Sequence, residues 1–89
     1  MSGSTTRNGS TRRWRTVRAR VIRRDPICQL ALPGICLGVS TTADHVLPVA
    51  RGGDLYDMNN LRGACFPCNR EKSDRLDGEI PARFAARDW

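Results

Sequence analysis

Four cysteines in a chain of 89 residues limit most strongly how this protein can fold. A chain this short buries only about 60–65% of its unfolded surface, so a hydrophobic core by itself leaves it marginally stable. Cys65 and Cys68 have the Cys-x₂-Cys spacing with which one tight turn presents two thiolates to a tetrahedral ion. Cys28 and Cys36 lie further apart, and their assignment to the same ion rests on stoichiometry, since one Cys₄ site uses every thiol. We therefore predict a structural Zn²⁺ bound by all four cysteines.

Two other uses of the cysteines remain open: disulfide bonds, or Cys28 or Cys36 as a small buried apolar side chain. Residues 1–24 are polar and rich in arginine, without the apolar core of a signal peptide. No apolar run approaches the roughly 20 residues that span a bilayer. We expect a cytoplasmic protein without membrane contact, and a reducing cytoplasm favours metal-bound thiolates over disulfides.

The positive charge of the chain is concentrated at its N-terminus. Of the formal net charge of +6, residues 1–24 contribute eight arginines and no acidic residue, whereas the rest has seven basic and nine acidic residues. Such an arm is the natural electrostatic contact for a polyanion. We predict that it contacts nucleic acid, with Arg15 and Arg18 among the contacts. The alternative is a solvated, arginine-rich helix face without a ligand.

The pattern of residues predicts an α+β protein. Residues 1–9 are small and polar, which predicts a disordered tail before one domain at residues 10–89. A basic helix is predicted at about residues 11–24, because apolar residues recur at i, i+3 and i+7 from Trp14 and the chain reaches Pro26 soon after.

The rest of the predicted domain is built around strands and a second helix. β-Favouring residues predict a strand at residues 40–49, with a short strand or an irregular return after the Gly52-Gly53 turn. A helix is predicted at residues 69–76. The zinc site and this core span about residues 27–76, and the C-terminal segment 77–89 has no firm assignment.

Four short motifs then occur in series between residues 27 and 75. They are Asp44-His45-Val46-Leu47-Pro48, Gly52-Gly53, Asn59-Asn60-Leu61 and Cys65-Phe66-Pro67-Cys68-Asn69-Arg70-Glu71-Lys72. In these motifs the chain resembles the HNH endonuclease family, the ββα-metal nucleases. The resemblance implies a small ββα-metal fold and a metal-dependent hydrolase that cuts DNA phosphodiester bonds.

The resemblance also implies roles for individual residues. The family pattern has His, Asn and His in series, and this chain has His45, Asn60 and Asn69, an HNN variant. It implies His45 as the general base, Asn60, rather than Asn59, as the residue that braces the loop and orients the base, and a divalent metal at Asp44 and Asn69. Two oxygen ligands favour Mg²⁺ or Mn²⁺ at this second site.

Two further expectations concern geometry and charge. Adjacent side chains point to opposite faces of an ideal strand, so Asp44 and His45 converge only if the strand end bends near residues 46–48. Arg70, Lys72 and Arg75 follow on the last predicted helix, where we predict contacts with phosphates. Here too the alternative is a solvated helix face.

Two readings other than an active nuclease stay open. One is a non-catalytic zinc-ribbon protein that binds nucleic acid, and the other is an HNH-like remnant or accessory subunit that no longer cuts. Small proteins that this chain resembles are common in tailed phages, which implies a place in DNA packaging beside terminase subunits. We expect a monomer or a weak dimer. One active site cuts one strand, so a double-strand cut would need a dimer or two encounters.

Overall fold

The computed structural model describes residues 11–81, so the predicted tail at residues 1–9 and residues 82–89 of the C-terminal segment lie outside the described residues. The described chain has two α-helices and a two-stranded antiparallel sheet. The elements are α1 (Arg12–Arg24), β1 (Thr42–His45), β2 (Leu61–Ala64) and α2 (Phe66–Lys72), with 3₁₀ turns at Val49–Arg51, Met58–Asn60 and Asp77–Glu79. The predicted α+β class is confirmed.

Helix α1 forms where its apolar spacing predicts it. The Oγ1 of Thr11 accepts a hydrogen bond from the backbone N–H of Trp14 at 3.1 Å, which satisfies one free donor of the first turn. The helix ends at Arg24, two residues before Pro26. The guanidinium of Arg24 then donates to the carbonyl of Met58 at 3.0 Å, so the end of α1 is tied to the turn that leads into β2.

Helix α1 packs across the sheet and covers a small apolar core. The strands pair with Asp44 opposite Arg62 and His45 opposite Leu61. Val21 of α1 is fully buried against Ala43 of β1 and Leu61 of β2. Trp14, Val17 and Met58 are half-buried at the edge of the same cluster. The N-terminal helix is therefore part of the core as well as a carrier of charge.

Strand β1 is shorter than the predicted strand at residues 40–49. It ends at His45, and the chain bends at Val46 and Leu47 before Pro48. Proline has no N–H for a strand ladder, and the backbone of Leu47 bonds to a side chain of the turn before β2 instead of to a strand. The bend at the end of the strand thus falls within residues 46–48, where it was expected.

Helix α2 begins three residues earlier and ends four residues earlier than predicted. Its first turn contains Pro67, which fits there because the first helical N–H groups need no intrahelical partner. It ends at Lys72 because Ser73 takes a positive φ of 51°. No helix within residues 11–81 has the length and apolar character needed to cross a membrane.

Candidate active site and metal centre

The four cysteines come together as predicted. Their Sγ atoms all lie within 4.8 Å of one another, and all four thiols are free of disulfide bonds. Tetrahedral zinc with bonds of about 2.3 Å to sulfur places ligand sulfurs about 3.8 Å apart, which this cluster accommodates with small adjustments. The segment that follows α1 supplies Cys28 and Cys36. Cys65 lies between β2 and α2, and Cys68 lies on α2.

Backbone amides surround the cluster and suit it to thiolates. The N–H groups of Leu32, Leu37 and Gly38 donate to Cys68, Cys65 and Cys36 at 3.4, 3.4 and 3.2 Å. Burial raises the pKa of the Cys28 thiol, but hydrogen bonds from the backbone of Ala31, Cys65 and Leu30 outweigh it and bring that pKa to about 7. Burial raises the pKa of the Cys36 and Cys68 thiols, so the backbone amides favour the thiolate most clearly at Cys28. Four converging sulfurs form a donor set that could bind a structural metal such as zinc.

A separate open cleft of about 670 Å³ contains the other residues of interest. The predicted site residues Asp44 and His45 line it from β1, and Asn69 lines it from α2. Two residues of α1, Trp14 and Arg18, form part of the same lining. The structure therefore brings together three residues that lie up to 25 positions apart in the sequence.

The imidazole of His45 makes one hydrogen bond through a ring nitrogen and one stacking contact through a ring face. Its Nε2 lies 3.0 Å from the carbonyl oxygen of Leu55. Because a carbonyl oxygen only accepts hydrogen bonds, this contact requires the proton on Nε2 and leaves Nδ1 of the neutral ring as an acceptor. The indole of Trp14 stacks on the ring, with centroids 5.3 Å apart and planes inclined by 17°.

The side chain of Asn60 holds the loop between β1 and β2. Its Oδ1 accepts from the backbone N–H of Leu47 at 2.9 Å, and its Nδ2 donates to the carbonyls of Leu47 and Asp54 at 3.0 and 3.2 Å. A Cβ at Gly53 would lie 1.8 Å from the carbonyl oxygen of Leu47, so this loop accepts only glycine there. Asn59 is exposed, and its backbone N–H bonds to Asp57 within the turn.

Asp44 is nearly fully buried and belongs to a chain of alternating charges. Its Oδ2 accepts from Nε of Arg62 at 2.8 Å, and its Oδ1 lies 3.3 Å from Nζ of Lys72. Arg62 also binds Asp77 on its other side, at 2.6 Å. The side-chain hydrogen bond from Arg62 lowers the pKa of Asp77, and the charges of Arg62 and Lys72 lower it further.

This arrangement of Asp44, His45, Asn60 and Asn69 coincides with a match to a known family. Residues 38–85, more than half of the chain, match the family model described as HNH endonuclease. The chain belongs to the HNH endonuclease family. No curated protein and no solved structure gives a significant match. The predicted family is thus confirmed, and membership indicates a nuclease. The matched HNH region contains β1, β2 and α2 but starts after α1.

One predicted contact of this HNH domain is wrong. Lys72 was expected to meet phosphates, but its side chain is fully buried. Its ammonium donates to the carbonyl of His45 at 2.9 Å and lies beside the carboxylate of Asp44. The spacing of basic residues along α2 could not show this, because burial of one of them depends on how α2 packs against β1.

The other predicted nucleic-acid contacts divide into two groups. Arg18 and Arg70 line the cleft, and the guanidinium of Arg70 lies 5.6 Å from the ring centroid of Phe66. Arg15 is exposed along a second groove formed by α1 alone. Arg75 bonds to the carbonyl and the carboxylate of Glu71 within its own segment. Of these arginines, only Arg18 and Arg70 share a cleft with the predicted site residues on β1 and α2.

Two residues of the site have contacts that the sequence did not predict. Trp14 begins the apolar repeat of α1, and nothing in the linear pattern indicates its contact with His45. Arg62 lies directly opposite Asp44 in the sheet register. Opposite charges at paired positions stabilise two strands, so the register of β1 and β2, had it been known, would have predicted this ion pair.

Proposed function

We propose that this HNH protein is a metal-dependent endonuclease that hydrolyses phosphodiester bonds of DNA. The observation that carries the proposal is the convergence of Asp44, His45 and Asn69 on one open cleft that two arginines also line. Membership of the HNH endonuclease family supports the reaction class. A phosphodiester substrate supplies the negative charge that the arginines would bind.

His45 is the proposed general base. Its Nε2–H is donated to Leu55, so Nδ1 is the nitrogen that takes a proton from water as the water attacks phosphorus. Histidine suits this task because its charge changes near neutral pH. General-base catalysis of this kind contributes roughly 10²–10⁴-fold to a rate. Asn60 fixes the loop that carries Leu55 and so acts on the base through its hydrogen-bond partner.

Asp44 and Asn69 would hold the divalent metal, and their donors fit a hard cation. The carboxamide of Asn69 has no hydrogen-bond partner among residues 11–81, and each oxygen of Asp44 keeps a lone pair beyond its one cationic contact. Bound Mg²⁺ or Mn²⁺ would neutralise charge on the scissile phosphate and on the leaving oxygen. Because Arg62 and Lys72 already partly balance Asp44, we expect weak binding of the ion in the absence of DNA.

Two arginines would contact the DNA backbone. Among residues 11–81, Arg18 has no ion pair and Arg70 contacts only the ring of Phe66, so both guanidinium groups are available to phosphates. Such contacts supply affinity with little sequence information. Arg15 and Arg75 remain proposed contacts of a longer DNA segment, outside the cleft.

The thiolate cluster is proposed as a structural zinc site. Cys68 is followed directly by Asn69, so an ion that fixes the first turn of α2 also fixes the proposed metal ligand. The same ion would join this turn to the segment of Cys28 and Cys36. Structural zinc bound there would therefore support the cleft without taking part in the reaction.

A finer part of the proposal concerns context. The resemblance of residues 27–75 to small phage proteins supports a role in DNA packaging beside terminase subunits in a phage-infected cell. One site cuts one strand, so a monomer would nick, and a double-strand cut would require two copies or two encounters. Sedimentation of the protein with and without a DNA duplex would distinguish these cases.

Supercoiled plasmid tests the proposal directly. The full-length protein with its zinc is treated briefly with a chelator and then incubated with plasmid and Mg²⁺, Mn²⁺ or Zn²⁺. Relaxed and linear products are measured. We expect cleavage with Mg²⁺ or Mn²⁺ and a loss of about 100-fold or more in His45→Ala. Asn59→Ala is the matched control, because that exposed side chain lies outside the cleft.

Each part of the proposal can fail separately. A wild-type rate in His45→Ala would remove His45 from the reaction. Activity restored only by Zn²⁺ would contradict the hard-cation assignment at Asp44 and Asn69. DNA binding without cleavage in every metal would favour a protein that binds without cutting, either an HNH-like remnant or accessory subunit or a zinc-ribbon nucleic-acid-binding protein. Circular dichroism and zinc content show whether each variant is folded.

A further inference from the structure

A residue outside the matched HNH region contacts the proposed base. Trp14 lies on α1, and the family match begins at residue 38. Its indole stacks on the imidazole of His45 with centroids 5.3 Å apart and an interplanar angle of 17°. Both rings line the same cleft. The contact therefore lies where the proposed chemistry takes place.

One hydrogen bond does not define the orientation of an imidazole. The contact from Nε2 of His45 to the carbonyl of Leu55 fixes one edge of the ring, but the ring can still rotate about that hydrogen bond. The χ2 angle of histidine has broad energy minima and adds little restraint. A flat indole against one face removes this freedom, because rotation of the imidazole would break the stacked contact.

The indole itself is placed by the packing of α1. The backbone N–H of Trp14 donates to the cap residue Thr11, and Val21 of the same helix is fully buried against the sheet that carries His45. Trp14 is half-buried at the edge of this cluster. The helix thus holds the indole at a set position relative to β1.

We propose that Trp14 is a positioning residue for His45, so that α1 is part of the catalytic site and not only a basic arm. The inference rests on the proposed function, because it assigns the stack to the orientation of the base. Trp14 carries no charge, and Arg18 and Arg70 would still contact phosphate without it. Loss of the indole should therefore lower kcat and leave KM for DNA almost unchanged.

The test combines kinetics with a spectroscopic readout. Trp14→Leu, Trp14→Phe and Val17→Ala are prepared in the full-length protein with its zinc. Val17→Ala is the matched control, because Val17 belongs to the same apolar cluster and does not line the cleft. His45 is the only histidine of the chain, so its ring protons are identified in a proton NMR spectrum without assignment.

We expect the indole to shift the His45 ring protons upfield in the wild type. Trp14→Leu should lose this shift and lose about 10- to 100-fold in kcat, the range expected when a catalytic group is misplaced by about 1 Å. KM should change less than about twofold, since phosphate contacts are unaltered. Trp14→Phe keeps a stacking ring and should recover most of both signals, and Val17→Ala should retain the shift and the kcat of the wild type.

Three outcomes would overturn the inference. An unchanged kcat in Trp14→Leu despite loss of the NMR shift would show that the stack does not position the base. An equal loss of kcat in Val17→Ala would show that the effect comes from stability. Absence of cleavage by the wild type, or full activity of His45→Ala, would reject the proposed function and the inference with it. In that case the NMR shift still reports whether the rings stack.

Discussion

The cluster of four cysteines and the cleft differ in how many of their polar groups have partners within the protein. In the cluster every sulfur accepts at least one backbone N–H, and three of the four cysteines are buried. In the cleft, the carboxamide of Asn69 and the guanidinium of Arg18 have no hydrogen-bond or ion-pair partner among residues 11–81. A site whose donors and acceptors are satisfied from within stabilises the fold. A site with unsatisfied groups facing solvent is able to bind a ligand.

The two regions are joined through α2. Cys68 belongs to the cluster, Asn69 lines the cleft, and Lys72 reaches the backbone of His45 from the same helix. Loss of the cluster should therefore remove the cleft, whereas loss of a cleft residue should leave the cluster intact. The expected effects of substitutions follow this order.

The largest effect should come from the cluster. Cys68→Ser removes one of the four proposed zinc ligands. The apparent binding free energy of a structural zinc is about 10–16 kcal/mol, which equals or exceeds the whole free energy of unfolding of a small domain. We expect an unfolded protein at 25 °C, as measured by circular dichroism, and no cleavage. Ser40→Ala is the control, because this buried hydroxyl has no hydrogen-bond partner among residues 11–81. A folded Cys68→Ser protein with zinc removed would end the structural assignment.

The next effect should come from the buried charges below the cleft. Lys72→Met leaves the carboxylate of Asp44 with Arg62 as its remaining cationic partner, and breaking a buried ion pair costs about 3–5 kcal/mol. Urea unfolding measures this loss of free energy. Arg70→Met on the exposed side of α2 should change stability by less than about 0.5 kcal/mol. Equal effects of the two variants would contradict the burial of Lys72.

A smaller effect should distinguish the two adjacent asparagines. Asn60→Ala removes three hydrogen bonds to the loop of residues 46–54, at about 1 kcal/mol each before relaxation, so we expect a loss of about 2 kcal/mol. The loop also carries the partner of His45, so kcat should fall as well. Asn59→Ala should leave stability and kcat near wild type. The reverse result would transfer the bracing role to Asn59.

The contribution of an arginine of α1 to DNA affinity should depend on the side of the helix on which it lies. Arg18 lines the cleft, whereas Arg20 lines a groove with Tyr56 and Met58. Arg18→Ala should reduce the salt dependence of DNA binding by about one phosphate contact, and Arg20→Ala should reduce it less. Fluorescence anisotropy over a series of salt concentrations measures the slope. Point substitutions are preferable to deletion of α1, because Val21 of α1 is fully buried in the core.

The smallest effect concerns acid stability at the outer end of the charge chain. The side-chain hydrogen bond from Arg62 lowers the pKa of Asp77 in the folded protein. The stabilisation is therefore present above the unfolded pKa of about 4 and is lost as the pH falls through the lower folded pKa. Asp77→Asn should flatten stability below about pH 4 and cost less than about 1 kcal/mol at neutral pH, because the pair is partly exposed. Asp74→Asn is the matched control, because Asp74 is exposed and has no ion pair among residues 11–81.

Prediction from the sequence succeeded where the chemistry depends on residues close together in the chain. The Cys65-x₂-Cys68 turn is of this kind, and stoichiometry extended the argument to Cys28 and Cys36, whose sulfurs lie in the same cluster. The strand end was harder to predict. β-Propensity continued through residues 46–49, but the side chain of Asn60 bonds to Leu47 and the chain turns there.

The amino-acid sequence alone determined the family, the α+β class, the cysteine set and the residues proposed for the reaction. Each of these depends on residue type and spacing, which the chain records directly. Tertiary structure decided that Lys72 is buried beneath Asp44 and that Trp14 stacks on His45. Those contacts depend on the angles at which α1 and α2 pack against β1. Such angles result from the fit of many side chains at once, so no short motif specifies them.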